Sequence, residues 1–499
     1  MTLRSNDGSV AMQGIILEFS DGFYQFQTEL GVLRLSATRM ICEGENCPQL
    51  EQVDADLVFK GSDTLGQGIM PLLMSGFASE LGAEADVSNG PRPGTAVAEL
   101  VGDGGFGDPI GSYLIESTNT DDGFDALLDG TANIALSARR IRPDEARALR
   151  AEGAGNMVDV QQERIVAVDP VTIIINPANG VDLLTSDQLT GIFSGTIRNW
   201  SQVGGSNAPI TVFTRDAGSA IREFFDERVL GSAPVSVNAS VMEDNNTMAA
   251  AVNADPGGIG YVGFAFQRGA KPVTLELTCG IIATPSPFAS KTEEYPLDRR
   301  LYMYVTETGL TEASTRFLDF ATSSAADGAI AKAGFVDLGI RRQDEELSEQ
   351  KIQSMLDSAI DNYERGFATE LVQDRAQWDR LSSTFRFASG SSRLDERGRV
   401  DLQRLVDFLS TQPSGTEVAL VGFTDSDGAF DGNRTLAVQR AEQVAAEVTA
   451  LGGSALADIN FETKGYGELS PAACNDNNLG KRINRRVEVW IRDGGISDG

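Results

Sequence analysis

The stretch 209-PITVFTRDAGSAIREFFDERVL-230 decides how the rest of the chain is read. Ile210 to Phe213 alternates as a strand does, Thr214 to Gly218 makes a tight polar loop, and Ile221, Phe224, Phe225 and Val229 fall at helical spacing between Ser219 and Leu230. A strand turning directly into a helix gathers the amides of Gly218, Ser219 and Ala220 at the helix start, beside the guanidinium of Arg215. Amides at that end have no partner inside the helix and carry partial positive charge, so their natural guest is a small oxyanion, with phosphate the first candidate. The alternative is that Ser219 only caps the helix and Arg215 is a solvated charge.

Upstream the same kind of junction recurs. Leu57-Val58-Phe59 leads into Gly61-Ser62-Asp63-Thr64-Leu65 and a helical pattern through Leu72, Leu73 and Phe77; STNTDDG at 117–123 precedes a helix from Phe124 to Leu128; and Ser137-Ala138-Arg139 follows a short strand from Ala132 to Leu136. Each alone is an ordinary cap or turn, but together they outline one oxyanion site in an alternating strand and helix chain. Further on, ERIVAVDPVTIIIN at 163–176 has the pattern of a buried strand broken by Pro170. Thr185 to Gln188 fits a capping box for the helix carrying Leu189 and Phe193, and DPGGIGYV at 255–262 turns into another strand.

Length and composition narrow the function. A chain of 499 residues, 41% hydrophobic, holds three or four domains with ordinary cores. A net charge of −31 argues against nucleic acid and against an anionic membrane surface, so an anion must be held by local donors against the field of the whole molecule. There is no histidine, which excludes serine-histidine and cysteine-histidine catalysis and histidine-based zinc sites. No metal site and no cofactor is expected. Four cysteines without a CxxC spacing are too few for a disulfide scaffold. Three pairings are open; Cys42 with Cys47, within CEGENC, leaves Cys279 to pair with Cys474 across domains, and buried free thiols are the alternative. No apolar run approaches the roughly 18 residues of a membrane span, and no leader pattern heads the chain, which therefore reads as a mature or trimmed form or as a cytosolic protein.

Residues from about 55 to 339 resemble the PstS-like periplasmic phosphate-binding proteins, two-lobed α/β flytraps that close on their ligand at a hinge. The resemblance is carried by GSDTL (61–65), GFDALLDGTANIALSAR (123–139), NPANGVDLLTSDQLTGIFSGTIRNWSQVGG (176–205), TRDAGSAIREFF (214–225) and DPGGIGYVGF (255–264). It implies a lobe made of about 55–165 and 263–340, and a second of about 166–262. It places the anion donors on Ser62, Thr64, Thr120, Arg139, Arg215, Ser219 and Ala220, alongside the Gly218 amide, with Asp63 or Asp122 accepting the proton of monohydrogen phosphate. The family's Gly-Thr is Ala220-Ile221 here, a lost hydroxyl expected to cost about 1 to 3 kcal/mol of binding if its partner stays unsatisfied. An ABC transporter permease is the partner the family suggests.

Residues 1–50 read as a small β unit with no evident chemistry. Residues 341–381 read as an amphipathic helical linker, with Ile352, Leu356, Ile360, Tyr363, Phe367, Leu371 and Trp378 on one face and Gly366 as a possible break; a dimerising helix is the other reading. From Ser382 the order is β-α-β-α-β-β. Here VGFTDSDG (421–428), NRTLAVQRAEQV (433–444), GYGELSP (465–471) and NRRVEVWI (484–491) resemble the OmpA-like peptidoglycan-binding domain. Diaminopimelate of a peptidoglycan stem is a zwitterion, so its site needs one carboxylate and one guanidinium. The resemblance puts Asp425 on the ammonium group and Arg440 on the carboxylate. Asn433 matches a family residue at the helix start, where a plain cap is the alternative. Phe423 replaces the family's histidine and is expected to change pocket shape, and Arg485 and Arg486 are expected to be scaffold or glycan contacts.

The fold expected is thus a two-lobed α/β flytrap preceded by a small β unit and followed by a helical linker and an α+β domain. The function implied is a non-enzymatic periplasmic binding protein for phosphate or a similar oxyanion, anchored to peptidoglycan. A flytrap that has lost its ligand and serves as a spacer or docking module is one alternative. A phosphatase on the same scaffold is another, disfavoured by the missing histidines and metal carboxylates.

Overall fold

In the computed structural model, residues 1–5, 10–20, 23–28, 31–36, 40–44, 47, 53–92, 94–344, 347, 349–391, 394 and 396–493 are described. The apolar run read as a broken strand is one continuous strand, Glu163–Ile175, buried from Val166 onward. Burial on both faces requires helices on both sides of the sheet. Pro170 does not stop the strand; it marks where the strand changes partners. Glu163 to Pro170 pairs with Asp298–Tyr304, whereas Val171 to Ile175 pairs with Gly258–Gly263. The missing proline N–H thus falls at the switch, where no ladder bond is required of it.

That strand joins the two halves of an 11-stranded sheet. On the first side Leu57–Ser62, Pro109–Thr118 and Ile134–Ser137 run parallel, with Thr95–Val101 and Glu84–Asn89 added antiparallel at the edge. The helices Met70–Glu80, Glu312–Thr322 and Ser324–Lys332 cover it, and Phe59, Phe77 and Phe317 meet with ring centroids 4.8 and 5.2 Å apart. On the second side Thr211–Arg215 runs parallel to Gly258–Gly263, over a core of Phe193, Trp200, Phe225 and Tyr261. Edge-to-face and offset rings fill such layers densely, and Trp200 satisfies its indole N–H on the Gly257 carbonyl at 3.1 Å.

The lobe boundary differs from the one drawn on the sequence. Phe266 joins the first core, but the chain then turns back. Lys271–Pro272 pairs with Ile174 and Ile175, and Val273, Leu275, Ala283, Tyr295 and Leu297 all lie in the second core. Residues 271–297 therefore stay with the second lobe, and the chain re-enters the first at Asp298–Tyr304 rather than at 263. The apolar residues of this segment are too widely spaced to show a period, which hid their destination.

The C-terminal domain is a five-stranded sheet in the order Arg342–Gln343, Asp379–Arg386, Arg486–Arg492, Glu417–Phe423, Asn460–Gly465. Alternate residues of Glu417–Phe423 serve opposite faces. Val418 and Leu420 meet the helices Glu396–Leu409 and Phe430–Gly452, while Ala419, Val421 and Phe423 meet Met355, Ala368, Leu371 and Trp378. The linker expected as a spacer is thus the second cover of this sheet. Its helices, Glu349–Asp357 and Asn362–Arg375, separate at Ser358 to Asp361, where the Asp361 carboxylate caps the second by accepting from the Glu364 amide at 2.9 Å. Gly366 lies inside that second helix.

The N-terminal residues form two three-stranded antiparallel sheets around Leu3, Tyr24, Phe26 and Met40. The turn signals that the sequence carries at Asp21-Gly22 and at Leu30, and Asp395, where the first helix of the C-terminal pattern is expected to start, lie outside the described residues. Two disulfides close, Cys42–Cys47 and Cys279–Cys474. The second bolts a loop of the second lobe to the C-terminal domain, beside the pairs Arg380–Glu294, at 2.5 Å, and Arg386–Glu293, at 3.4 Å. Among the described residues no helix is long and apolar enough to cross a membrane, and no group of three or more metal-ligating side chains occurs.

Candidate functional site

Between the lobes, the carboxyl ends of parallel strands converge, the edge where open α/β sheets gather ligands. Ser62, Thr118 and Ser137 end three strands of the first lobe, and Arg215 ends Thr211–Arg215 of the second. Ser62, Thr64 and Thr120 are each 2% exposed and Arg215 is 4% exposed. Thr120 is not in a loop, as the sequence suggested, but is the first residue of Thr120–Leu128. Asn119 caps that helix by accepting from the Asp122 amide at 2.9 Å. The Thr120 hydroxyl accepts from the Ala138 amide at 3.1 Å and so fixes the helix start against the strand end.

Arg215 spans the seam. Its Nη2 donates to Asp63 Oδ2 at 3.1 Å and to the Glu243 carbonyl at 2.9 Å, while Nε and Nη1 have no partner. Asp63 in turn accepts from the Thr64 amide at 2.8 Å. The Thr118 hydroxyl, paired across the sheet with Ser62, is also buried and unpartnered. A buried N–H or O–H left unpaired costs about 1 to 3 kcal/mol, so a cluster of them is a demand for an acceptor.

A third arginine enters that sequence reasoning missed. Arg299 is buried against Asp169, 2.6 Å away, and its Nη2 is 3.4 Å from the Thr64 hydroxyl while Nη1 has no partner. Asp169 also accepts from the Phe264 amide at 3.0 Å, which anchors the turn out of the second lobe. The signal was in the sequence. An aspartate inside IVAVDPVTIII must find a cation when both strand faces are buried.

Three expected donors are occupied elsewhere. Arg139 stacks over Phe124 and pairs with Asp121, with Glu145 at 2.5 Å and with Glu223 at 3.6 Å. Burial works against its charge, but Glu145 and Asp121 outweigh burial and its pKa is raised. With Arg142 on Glu223 at 2.5 Å it forms an ionic latch between the lobes rather than a free donor. The Gly218 amide turns onto Asp216 Oδ1 at 3.0 Å, the Ser219 amide onto the Asp216 carbonyl at 3.1 Å, and the Ser219 side chain makes no capping bond. Ala220 opens the short helix Ala220–Phe225. Ile221 is buried in the second core, so its side chain belongs to that core and not to the cleft, contrary to the hydroxyl-for-isoleucine exchange anticipated at the anion.

The C-terminal domain presents a different pocket. Asp425 lies near the start of the loop after Glu417–Phe423 and receives Arg485 Nη1 at 2.6 Å. Arg440, on Phe430–Gly452, is fully buried over the Phe387 ring. Its Nε and Nη2 donate to the carbonyls of Ser391 and Ala388 at 3.0 and 3.3 Å, and Nη1 has no partner. Burial and then Arg485 lower the Arg440 pKa to about 10, with Asp425 opposing. Arg485 is therefore a pocket residue, although the sequence placed it in the scaffold; Arg486 is the scaffold member, buried on Glu488 at 2.7 Å. Asn433 is not a cap. Three residues into the helix, it donates to the Asp425 carbonyl at 3.4 Å and to Glu468 at 3.0 Å, bracing the loop. Phe423 points into the domain under Arg486, so it does not shape the pocket.

Comparison with known proteins agrees with both halves. Residues 110–325 match the model of the PBP superfamily domain and residues 386–485 that of the OmpA family. Protein SphX of Synechococcus elongatus is 30% identical over 234 residues, covering 44% of this chain and 67% of that protein. Phosphate-binding protein PstS of Borreliella burgdorferi is 25% identical over 230 residues, 44% of this chain and 76% of the relative. Among solved structures, a putative phosphate ABC transporter substrate-binding protein with bound phosphate from Clostridium perfringens aligns with a TM-score of 0.44 at 21% identity, over 56% of this chain and 98% of its own. The peptidoglycan-associated lipoprotein from Burkholderia pseudomallei aligns with a TM-score of 0.20 at 24% identity, over 22% and 90%. The chain belongs to the PBP superfamily, as a relative of the SphX and PstS proteins, and carries a C-terminal domain of the OmpA family.

Proposed function

We propose that this protein captures phosphate, or an oxyanion of the same size, between its lobes and is held to peptidoglycan in the periplasm by its C-terminal domain. The observation that supports capture is the unpartnered pair of N–H groups on buried Arg215, facing a seam of strand ends with the Arg299 Nη1 and Thr118 Oγ1 donors. Ser62 and Thr64 supply further hydroxyls, and Asp63 holds Arg215 until the anion takes its place. Arg139 and Arg142 act on closure, through Glu223, rather than on the ligand. The relatives named for phosphate binding support the same guest. In the C-terminal domain, Asp425 and the free Nη1 of Arg440 supply the opposite charges a diaminopimelate zwitterion needs, with Asn433 holding the loop that carries Asp425. An ABC transporter permease would be the acceptor of the captured ion, and no catalytic step is assigned to the protein.

The test is calorimetry of dialysed full-length protein with phosphate, beside the Arg215→Gln variant. Binding by the parent and a loss of about ten- to a hundredfold in the variant are expected for a charge-assisted bond; no binding by the parent at millimolar phosphate overturns capture. The latch Arg142–Glu223 and the pair Arg215–Asp63, which bridge the lobes by protein contacts alone, favour a second reading as a rigid docking module. That reading predicts sedimentation with purified sacculi and no anion binding.

A further inference from the structure

Where both lobes meet the C-terminal domain lies a chamber of about 1450 Å³, walled by Arg228, Arg300, Thr384, Arg404 and Arg482 among others. Carboxylates line it as well as cations, but two of its cations are short of a partner. Arg228, on Asp226–Leu230 of the second lobe, has its nearest carboxylate, Glu227, 4.0 Å away, and its Nε is buried with no partner. Opposite it, on Asn478–Asn484 of the C-terminal domain, Arg482 has no ion pair among the described residues. Glu293, the carboxylate between them, is already taken by Arg300 and by Arg386 at 3.4 Å. Asp298 is a poor partner, because burial raises its pKa well above the ordinary carboxylate value. Burial, and after it the charge of Arg482, depress the pKa of Arg228 against the pull of Glu227, as expected of two cations sharing too few anions. In a molecule of net charge −31, two guanidiniums sharing one wall and short of a carboxylate partner call for a counter-ion.

We propose that the end of this chamber away from Arg215 and Thr118 is a second binding site for a compact oxyanion bearing two or more negative charges, clamped between Arg228 and Arg482. The unpartnered hydroxyls of Ser383 and Thr384 line the same space and supply neutral donors to further oxygens. The volume exceeds what a single phosphate fills, so a condensed phosphate or a polycarboxylate fits the chemistry. Such a guest bridges the second lobe and the C-terminal domain next to the Cys279–Cys474 bolt.

The experiment titrates the full, disulfide-intact chain carrying Arg215→Gln, which disables the cleft, with tripolyphosphate and separately with citrate. One saturable event with at least one probe is expected, weakening about tenfold or more when Arg482→Gln is added; the tighter probe identifies the source of the charge. Arg228→Gln should weaken it by a similar factor. Arg482 is exposed, so its variant is expected to fold, and it alone decides the matter if the Arg228 variant is unstable. No binding of either probe, or equal binding with Arg482→Gln, overturns the proposal. Failure of phosphate to bind the unmodified cleft would not, because the comparison that decides is with and without Arg482→Gln, a residue outside that cleft, on a background in which the cleft is already weakened.

Discussion

The interlobe cleft and the C-terminal pocket are each built on a buried arginine with an unused N–H, yet they treat its charge differently. Arg215 already has a carboxylate partner, Asp63, at 3.1 Å. Arg440 has only the carbonyls of Ser391 and Ala388, and the neighbouring carboxylate, Asp425, is committed to Arg485. The cleft is therefore electrically complete before its guest arrives, and an anion must compete with Asp63. The pocket leaves Arg440 without a carboxylate, and the proposed zwitterion would offer it one while its ammonium shared Asp425. Replacing Arg440 by alanine should be the most damaging single change. Loss of one partner of a buried charged contact costs roughly 2 to 5 kcal/mol, so sedimentation with sacculi should disappear while phosphate binding is unchanged.

The acidic partners should then respond with opposite signs. Asp425→Asn removes the ammonium's partner and should abolish wall binding along with Arg440→Ala. Asp63→Asn removes a competitor from Arg215. It should lower the stability of the ligand-free protein by about 1 to 3 kcal/mol, because a buried guanidinium loses its counter-charge. The stabilisation by phosphate in thermal unfolding should rise by a similar amount. If Asp63→Asn instead weakens phosphate as strongly as Arg215→Gln does, Asp63 is the proton acceptor and not a competitor, and the contrast between the sites fails.

The seam between the two regions should yield to acid. Burial alone would raise the pKa of Glu293, but Arg300, Arg386 and Arg482 outweigh it and hold it at about 2. A carboxylate with a folded pKa below its unfolded value stabilises the fold above the unfolded value. That contribution is lost as pH falls through the folded one, here from about 4.5 towards 2. Unfolding followed over that interval should show about 2 kcal/mol less acid sensitivity in Glu293→Gln, after allowance for the solvent that reaches the site.

Much of this was legible in the sequence because it is local. The strand, loop and helix of 209–230, the capping box at Thr185 and Gln188, and the alternation of the C-terminal strands all follow from residues a few positions apart, and the structure contains each of them. The motif sets located both pockets for the same reason. What stayed hidden depends on which chain segment arrives from far away. Arg299 reaches Asp169 across 130 positions, Arg485 reaches Asp425 across 60, and Arg139 is diverted by Glu145 and Glu223, none of which a strand or helix period can foresee. The four-residue break at Ser358 was missed because Gly366, the obvious breaker, is tolerated within a helix at about 1 kcal/mol.

Ile221 tests the contrast most finely. The sequence marks it as a defect of the anion site, since a hydroxyl is expected at that position, whereas the structure buries it among Phe225, Tyr261 and their neighbours. Those two views predict opposite outcomes for Ile221→Thr. As a cleft residue, threonine would tighten phosphate by about tenfold, the worth of one added bond to a charged group. As a core residue it would put a hydroxyl in place of an ethyl group in an apolar layer, costing about 1 to 3 kcal/mol of stability. Phosphate affinity should then stay within about twofold, a change too small to count as one bond gained. The second outcome is expected, measured as a lower thermal midpoint with an unchanged binding isotherm. It follows from the proposed roles in the cleft: the guanidiniums of Arg215 and Arg299 hold the open donors, and Ile221 of the short helix is spent on packing.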